Sequence, residues 1–108
     1  MAYENAKETV VAEIKKNNRG DFIVVKNILD ERRGSQSIDV RQCFTNDDDQ
    51  VLPTKKGIRY NSELAVEVIR AQADCLEASD LQDLIEELRL LAIEKGCLEE
   101  AVDNEDTE

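Results

Sequence analysis

The 108-residue sequence predicts an α+β fold: a four-stranded antiparallel, curved sheet followed by a helix, with an extra C-terminal helix. Three observations lead there. Runs rich in β-branched and apolar residues, separated by clusters of Asn, Asp and Gly, fill positions 8–60. At Asn61 the apolar period changes from that of a strand to that of a helix. The charge changes at the same place: residues 19–61 carry eight Lys or Arg against seven Asp or Glu, whereas residues 62–108 carry three against fifteen.

Each element has its own reason. Residues 9–16, with Val10, Val11 and Ile14, suit a strand or a short amphipathic helix. The turn residues Asn17, Asn18, Gly20 and Asp21 that follow favour the strand. Residues 22–29 are the surest strand, being dense in Phe, Ile and Val. Residues 30–35 are polar and contain Gly34, which suits a hairpin loop tipped with Arg32 and Arg33. Residues 37–44 alternate Ile38, Val40 and Gln42 against Asp39, Arg41 and Cys43. Asn46 and the three aspartates after it are turn chemistry. Residues 51–60 close the sheet, where Pro53 argues for an edge or a bulge because it lacks a ladder donor.

Beyond the sheet, Asn61 or Ser62 caps a first helix, with Glu63 in its first turn. Leu64, Ala65, Val68, Ala71, Cys75 and Leu76 recur at helical spacing, and Gln72 interrupts their face. Ser79 with Gln82 resembles a capping box that opens a second helix. Its stripe is Leu81, Leu84, Ile85, Leu88, Leu91 and Ala92, and Gly96 is its stop. Residues 99–108 have six acids and no base, a composition expected to stay disordered. The expected division is a domain at 1–78, an additional helix at 79–97 and an acidic tail at 98–108.

Composition narrows the function. No apolar run approaches the ~18 residues of a membrane span, and the polar N-terminus lacks a signal peptide's hydrophobic region. Cys43, Cys75 and Cys97 are odd in number and far apart, which suits reduced thiols in an intracellular protein. With no His, neither a Cys-His nucleophile nor a Cys/His zinc site exists. Asp47, Asp48 and Asp49 are consecutive, so they cannot all converge on one ion from a strand, and no Gly and Glu follow at calcium-loop spacing. No phosphate loop or nucleophile elbow is present. The expectation is a non-enzymatic protein with no metal and no cofactor.

The chain is strongly acidic, with a formal net charge of -11, yet it concentrates Lys55 and Lys56 beside Gly57. A local anion site is the simplest motive, and the anion suggested is a nucleic-acid backbone. Arg32, Arg33 and Arg41 stand on neighbouring strands or loops, and Lys26 and Arg59 belong to the same near-neutral stretch. Phe44 offers a surface on which a base could stack. The alternative is that Phe44 is core and the lysines only solubilise an edge strand. Strict alternation puts Arg41 and Phe44 on opposite faces, so a bulge or twist near Cys43 is needed if both are to touch one strand.

Strand-strand-strand-strand-helix order, the Ile38, Asp39, Val40, Arg41 tetrad, the aromatic Phe44, Pro53, the basic pair before Gly57, Ile58 and Asn61 together resemble the single-stranded-DNA-binding family of the transcriptional coactivator positive cofactor four. The similarity spans roughly residues 9–77 and is most specific in 38–61. It implies a homodimer whose curved sheets cradle single strands, with the helix closing the interface. Arg41 then matches the family's sheet arginine, Phe44 its stacking tryptophan, and Lys55 and Lys56 its basic positions. The candidate DNA-binding set is Lys26, Arg32, Arg33, Arg41, Phe44, Lys55, Lys56, Gly57 and Arg59. The candidate dimer interface is Leu64, Val68, Leu84 and Leu88. The expected partners are single-stranded DNA, with RNA also open, a second copy of the chain, and a replication or transcription protein at the acidic tail. The alternative function is an acidic helical protein-interaction module without nucleic-acid binding.

Overall fold

Four antiparallel strands in sequential order build the sheet: β1 (Ala6–Lys15), β2 (Asp21–Asp30), β3 (Ser35–Thr45) and β4 (Val51–Asn61). A single 3-10 turn, Ser62–Leu64, leads into α1 (Ala65–Ala73), and α2 follows at Ala78–Glu94. The computed structural model describes residues 6–100. By compactness the chain divides into two units, Met1–Val68 and Ile69–Glu108. That boundary falls inside α1, whereas the division expected from sequence, at 78/79, falls just inside the start of α2. Residues 101–108 of the expected acidic tail lie outside the described residues.

Side chains that serve as local caps shape the three turns. Asn17 Oδ1 accepts from the amides of Arg19 (2.9 Å) and Asp21 (3.3 Å). Asp30 Oδ1 accepts from Arg32 (3.1 Å) and Arg33 (3.3 Å). Asn46 Oδ1 accepts from Asp48 and Gln50, both at 2.9 Å. Asn and Asp hydrogen-bond the backbone two residues on, which is why these positions fold the chain back. The last turn leaves Asp49 at φ 62°, a left-handed conformation that Asp tolerates better than most residues.

β2 and β3 pair without interruption from Asp21↔Phe44 to Asp30↔Ser35, but both outer strands are bulged. Val10 and Ala12 of β1 oppose the consecutive Lys26 and Val25, so Val11 is an extra residue. On the other edge Arg41 pairs with Gly57 and Cys43 with Pro53. One residue of β3 therefore faces three of β4, namely Thr54, Lys55 and Lys56. Pro53 sits on an edge strand beside this bulge, as its missing donor requires. Bulges bend and twist the strands that carry them.

Residues directly opposite one another share a face, and the register sorts the sheet into two. One face carries Lys26, Asp39, Arg41 and Arg59, together with Val24, Ile28 and Cys43. The other carries Ile14, Ile23, Val25, Ile38, Val40, Phe44, Leu52 and Ile58. The buried residues Val24, Ile28, Asp39 and Cys43 all belong to the charged face.

The 3-10 turn opens with Asn61, whose side chain accepts from the Glu63 amide at 2.9 Å. α1 stops at Ala73, and Cys75 and Leu76 lie in the turn after it, their amides bonded to the carbonyls of Gln72 and Ala73. Gln72 is exposed, so its break in the apolar face costs no buried polar group. The expected Ser79–Gln82 capping box does not form. α2 already begins at Ala78, Glu77 is its cap residue without a side-chain bond, and Ser79 lies within the first turn. The C-terminus ends as expected: Gly96 takes φ +79°, its amide bonds Ile93 O, and the Cys97 amide bonds Ala92 O, each at 3.0 Å.

Candidate nucleic-acid interface

Asp39 organises the charged face. The carboxylate is 2% exposed and accepts three charge-assisted bonds. Arg41 grips it with two nitrogens, Nε to Oδ1 and Nη2 to Oδ2, both at 3.0 Å. Arg59, directly across the ladder on β4, donates Nε to Oδ2 at 2.9 Å. Burial alone would raise the Asp39 pKa, but the hydrogen bonds and charges of the two guanidinium groups outweigh it and hold the carboxyl below its ordinary range. On the β2 side Lys26 pairs with Glu8 at 3.1 Å. Burial pushes the nearby Cys43 thiol up, against the smaller opposing pull of Lys26 and Arg41, so Cys43 stays protonated and inert near neutrality.

The third nitrogen of Arg41 leaves the ion pair and reaches the bulge: Nη1 donates to Thr54 O at 3.1 Å. Thr54 is tied twice more. Its hydroxyl donates to Gln42 O at 2.7 Å and accepts from the Lys56 amide at 3.1 Å. Lys55 and Lys56 are exposed on this pinned segment and, among the described residues, make no ion pair. Gly57 follows because nothing larger fits. A Cβ there would lie 2.6 Å from Val40 O and 2.7 Å from Arg41 Cα. The missing side chain lets β4 approach β3 closely here.

The candidate residues are not all gathered at one point. Arg33 stands at the Ser35 end of β3, where it lines a shallow cleft of ~320 Å³ with Asp30, Ser35, Ser37 and Arg59. Its Nε lies 4.0 Å from Asp30. Arg32, next to it in the turn, is exposed. The basic bulge lies opposite Gln42, seven residues along β3 from Ser35 and so about 23 Å away. Arg59 and Arg41 occupy the interval. Phe44 is 39% exposed on the apolar face. The bulge near Cys43 exists, but it belongs to β4 and leaves β3 regular, so Arg41 and Phe44 remain on opposite faces.

Lys15, Lys16 and Arg19 at the β1–β2 turn stand outside the set expected from sequence. Lys16 Nζ donates to Gln42 Oε1 at 2.8 Å, which brings this basic group toward the strand position opposite Lys55 and Lys56. The signal was available as three cations within five residues at a hairpin tip.

A sequential four-stranded antiparallel sheet that runs into a helix, with a pinned basic bulge on its last strand, defines the class. No protein-family model matches the sequence, and no curated protein matches it. Solved structures do match. The PC4 homologue of Burkholderia pseudomallei aligns in two crystal forms. The tetragonal form gives 26% identity, a TM-score of 0.52, 61% of this chain and 93% of that one. The orthorhombic form gives 28% identity, a TM-score of 0.51, and 67% and 90% coverage. The bacteriophage T5 homologue of the eukaryotic transcription coactivator PC4 aligns over 81% of this chain and 96% of its own, with a TM-score of 0.52; at 18% identity it supports the fold. The chain is thus similar to solved PC4 homologues in fold and, at 26–28% identity to the Burkholderia protein, in sequence.

Proposed function

We propose that this protein is a non-enzymatic, DNA-binding, coactivator-like protein that acts as a homodimer on single-stranded DNA in transcription, replication or repair. The observation that carries the reading is the β4 bulge. A PC4-like sheet holds two exposed lysines, unpaired among the described residues, on a segment tied at Thr54. Such a fixed cationic pair suits adjacent phosphates, and Arg32, Arg33 and Arg59 continue positive charge along the same hairpins. The phage T5 relative is described as implicated in recombination-dependent DNA replication, which makes replication one setting to test.

Support for the homodimer comes from what a single chain leaves uncovered. Ile14 and Ile58 on the apolar face are 52% and 54% exposed. Leu64 and Leu88 are exposed as well, and Val68 and Leu84 are half-buried. The exposed apolar stripe of α2, set among acids, also favours a second reading, an acidic helix that docks a protein partner. No helix among the described residues is long and apolar enough to cross a membrane.

Titration of labelled single-stranded and duplex oligonucleotides across a salt series tests the first reading. We expect tighter binding to the single strand, with log affinity falling linearly against log salt. Absence of binding at low salt sinks it and leaves the docking module. RNA of the same sequence, run in parallel, tests the choice of nucleic acid.

A further inference from the structure

Arg41 matches a family arginine expected to touch DNA, yet its guanidinium is already committed. Three of its donors are used within the sheet: two on Asp39 and one on Thr54 O. With three of its five N–H donors so occupied, it cannot turn its bidentate fork to a phosphate without breaking a bond to a buried carboxylate. Its geometry suits another task. A β4 segment that places three residues opposite one has lost regular ladder pairing there and, left alone, would sample many conformations. The chain of bonds from Asp39 through Arg41 to Thr54, and from Thr54 Oγ1 to the Lys56 amide, removes that freedom.

We propose that Asp39 is a positioning residue for the basic bulge: it clamps Arg41, which holds Thr54 and thereby fixes Lys55 and Lys56 in one arrangement. Its effect on DNA rests on the proposed DNA-binding reading; its effect on the bulge does not. Asp39 touches no ligand in this scheme. It acts through Arg41 on one side and steadies the strand on the other through Arg59.

The test turns on a sign. Asp39→Asn removes a negative charge, so simple electrostatics predicts tighter binding to DNA at low salt. Positioning predicts the opposite, a loss of about fivefold or more in single-strand affinity, because one carboxylate oxygen becomes a donor facing a guanidinium. Arg41→Lys keeps the charge but cannot span Asp39 and Thr54, so it should lose affinity similarly. In either background, Lys55→Ala with Lys56→Ala should cost less than in the parent protein, since the pair is no longer preorganised. A melting curve for each variant identifies loss of fold, and Arg41→Lys serves if Asp39→Asn does not fold.

A measurement without DNA separates this proposal from the binding reading. In the DNA-free protein the Lys56 amide should exchange with solvent faster in Asp39→Asn than in the parent, while amides of the β2–β3 ladder keep their protection. Faster exchange with no DNA binding in the parent upholds the positioning and ends the DNA reading. Unchanged Lys56 exchange in both variants, or tighter binding by Asp39→Asn, overturns the proposal.

Discussion

The two faces of the sheet reverse the usual relation between polarity and burial. The charged face holds Asp39 at 2% exposure and the buried Val24, Ile28 and Cys43, while the apolar face leaves Ile14 and Ile58 more than half exposed. The charged face can close because its charges satisfy one another: a carboxylate accepting three guanidinium bonds has little need of water. The apolar face has no such internal solution, since only cover relieves exposed hydrocarbon. The lesson is a division of labour, in which one face satisfies itself within the chain and the other leaves hydrocarbon exposed.

The largest expected effect breaks the closed face. Gly57→Ala places a methyl against Val40 O and Arg41 Cα, and the overpacking should cost about 3 kcal/mol of stability in urea denaturation. A cost below about 1 kcal/mol would mean that β3 and β4 separate easily there. On the open face, Phe44→Ala should remove roughly 1–3 kcal/mol of single-strand binding if the ring is a stacking platform. Being 39% exposed in the protomer, Phe44 should cost less stability on truncation than the roughly 3–5 kcal/mol of a core phenylalanine. A large fall in melting temperature with unchanged binding assigns it to packing instead. Ile58→Asp tests the cover itself: sedimentation should show dimer before the substitution and monomer after it.

Two smaller effects sharpen the contrast. Lys55→Ala with Lys56→Ala should flatten the slope of log affinity against log salt by about one unit or more, near 0.7 for each single-strand phosphate that is no longer neutralised. The Asp39 network should also show in acid. Its folded pKa lies below the unfolded value, so its stabilisation is fully present above about pH 4 and is lost as pH falls through the folded pKa. The stability gap between the parent and Asp39→Asn should therefore be constant near neutrality and close in strong acid. A gap that widened there would contradict the ion pair.

The sheet was legible in the sequence because its signals are local. Alternation marks the strands, Asn17 and Asn46 mark turns, and Gly96 marks a stop. The site was legible in composition but not in arrangement. Pro53 and the basic pair pointed to an irregular edge strand, yet only the register places the bulge on β4 and keeps Phe44 away from Arg41. Asp39 looked like one polar position in an alternating run; that it binds Arg59 depends on pairing across 20 residues. The Ser79–Gln82 box was misread because the spacing also occurs inside a helix that has already begun at Ala78.

Both border strands of this sheet are interrupted, β1 by Val11 and β4 by Thr54, Lys55 and Lys56. A flat unpaired border is a template on which further chains can polymerise, and an irregular one is a poor template. The chain thus exposes a broad hydrocarbon surface while withholding the hydrogen-bonding rims on which fibrils grow. In the proposed homodimer, copies would meet surface to surface, in an association that ends after one partner rather than propagating. The residues proposed to grip DNA therefore also guard the protein against amyloid-like growth.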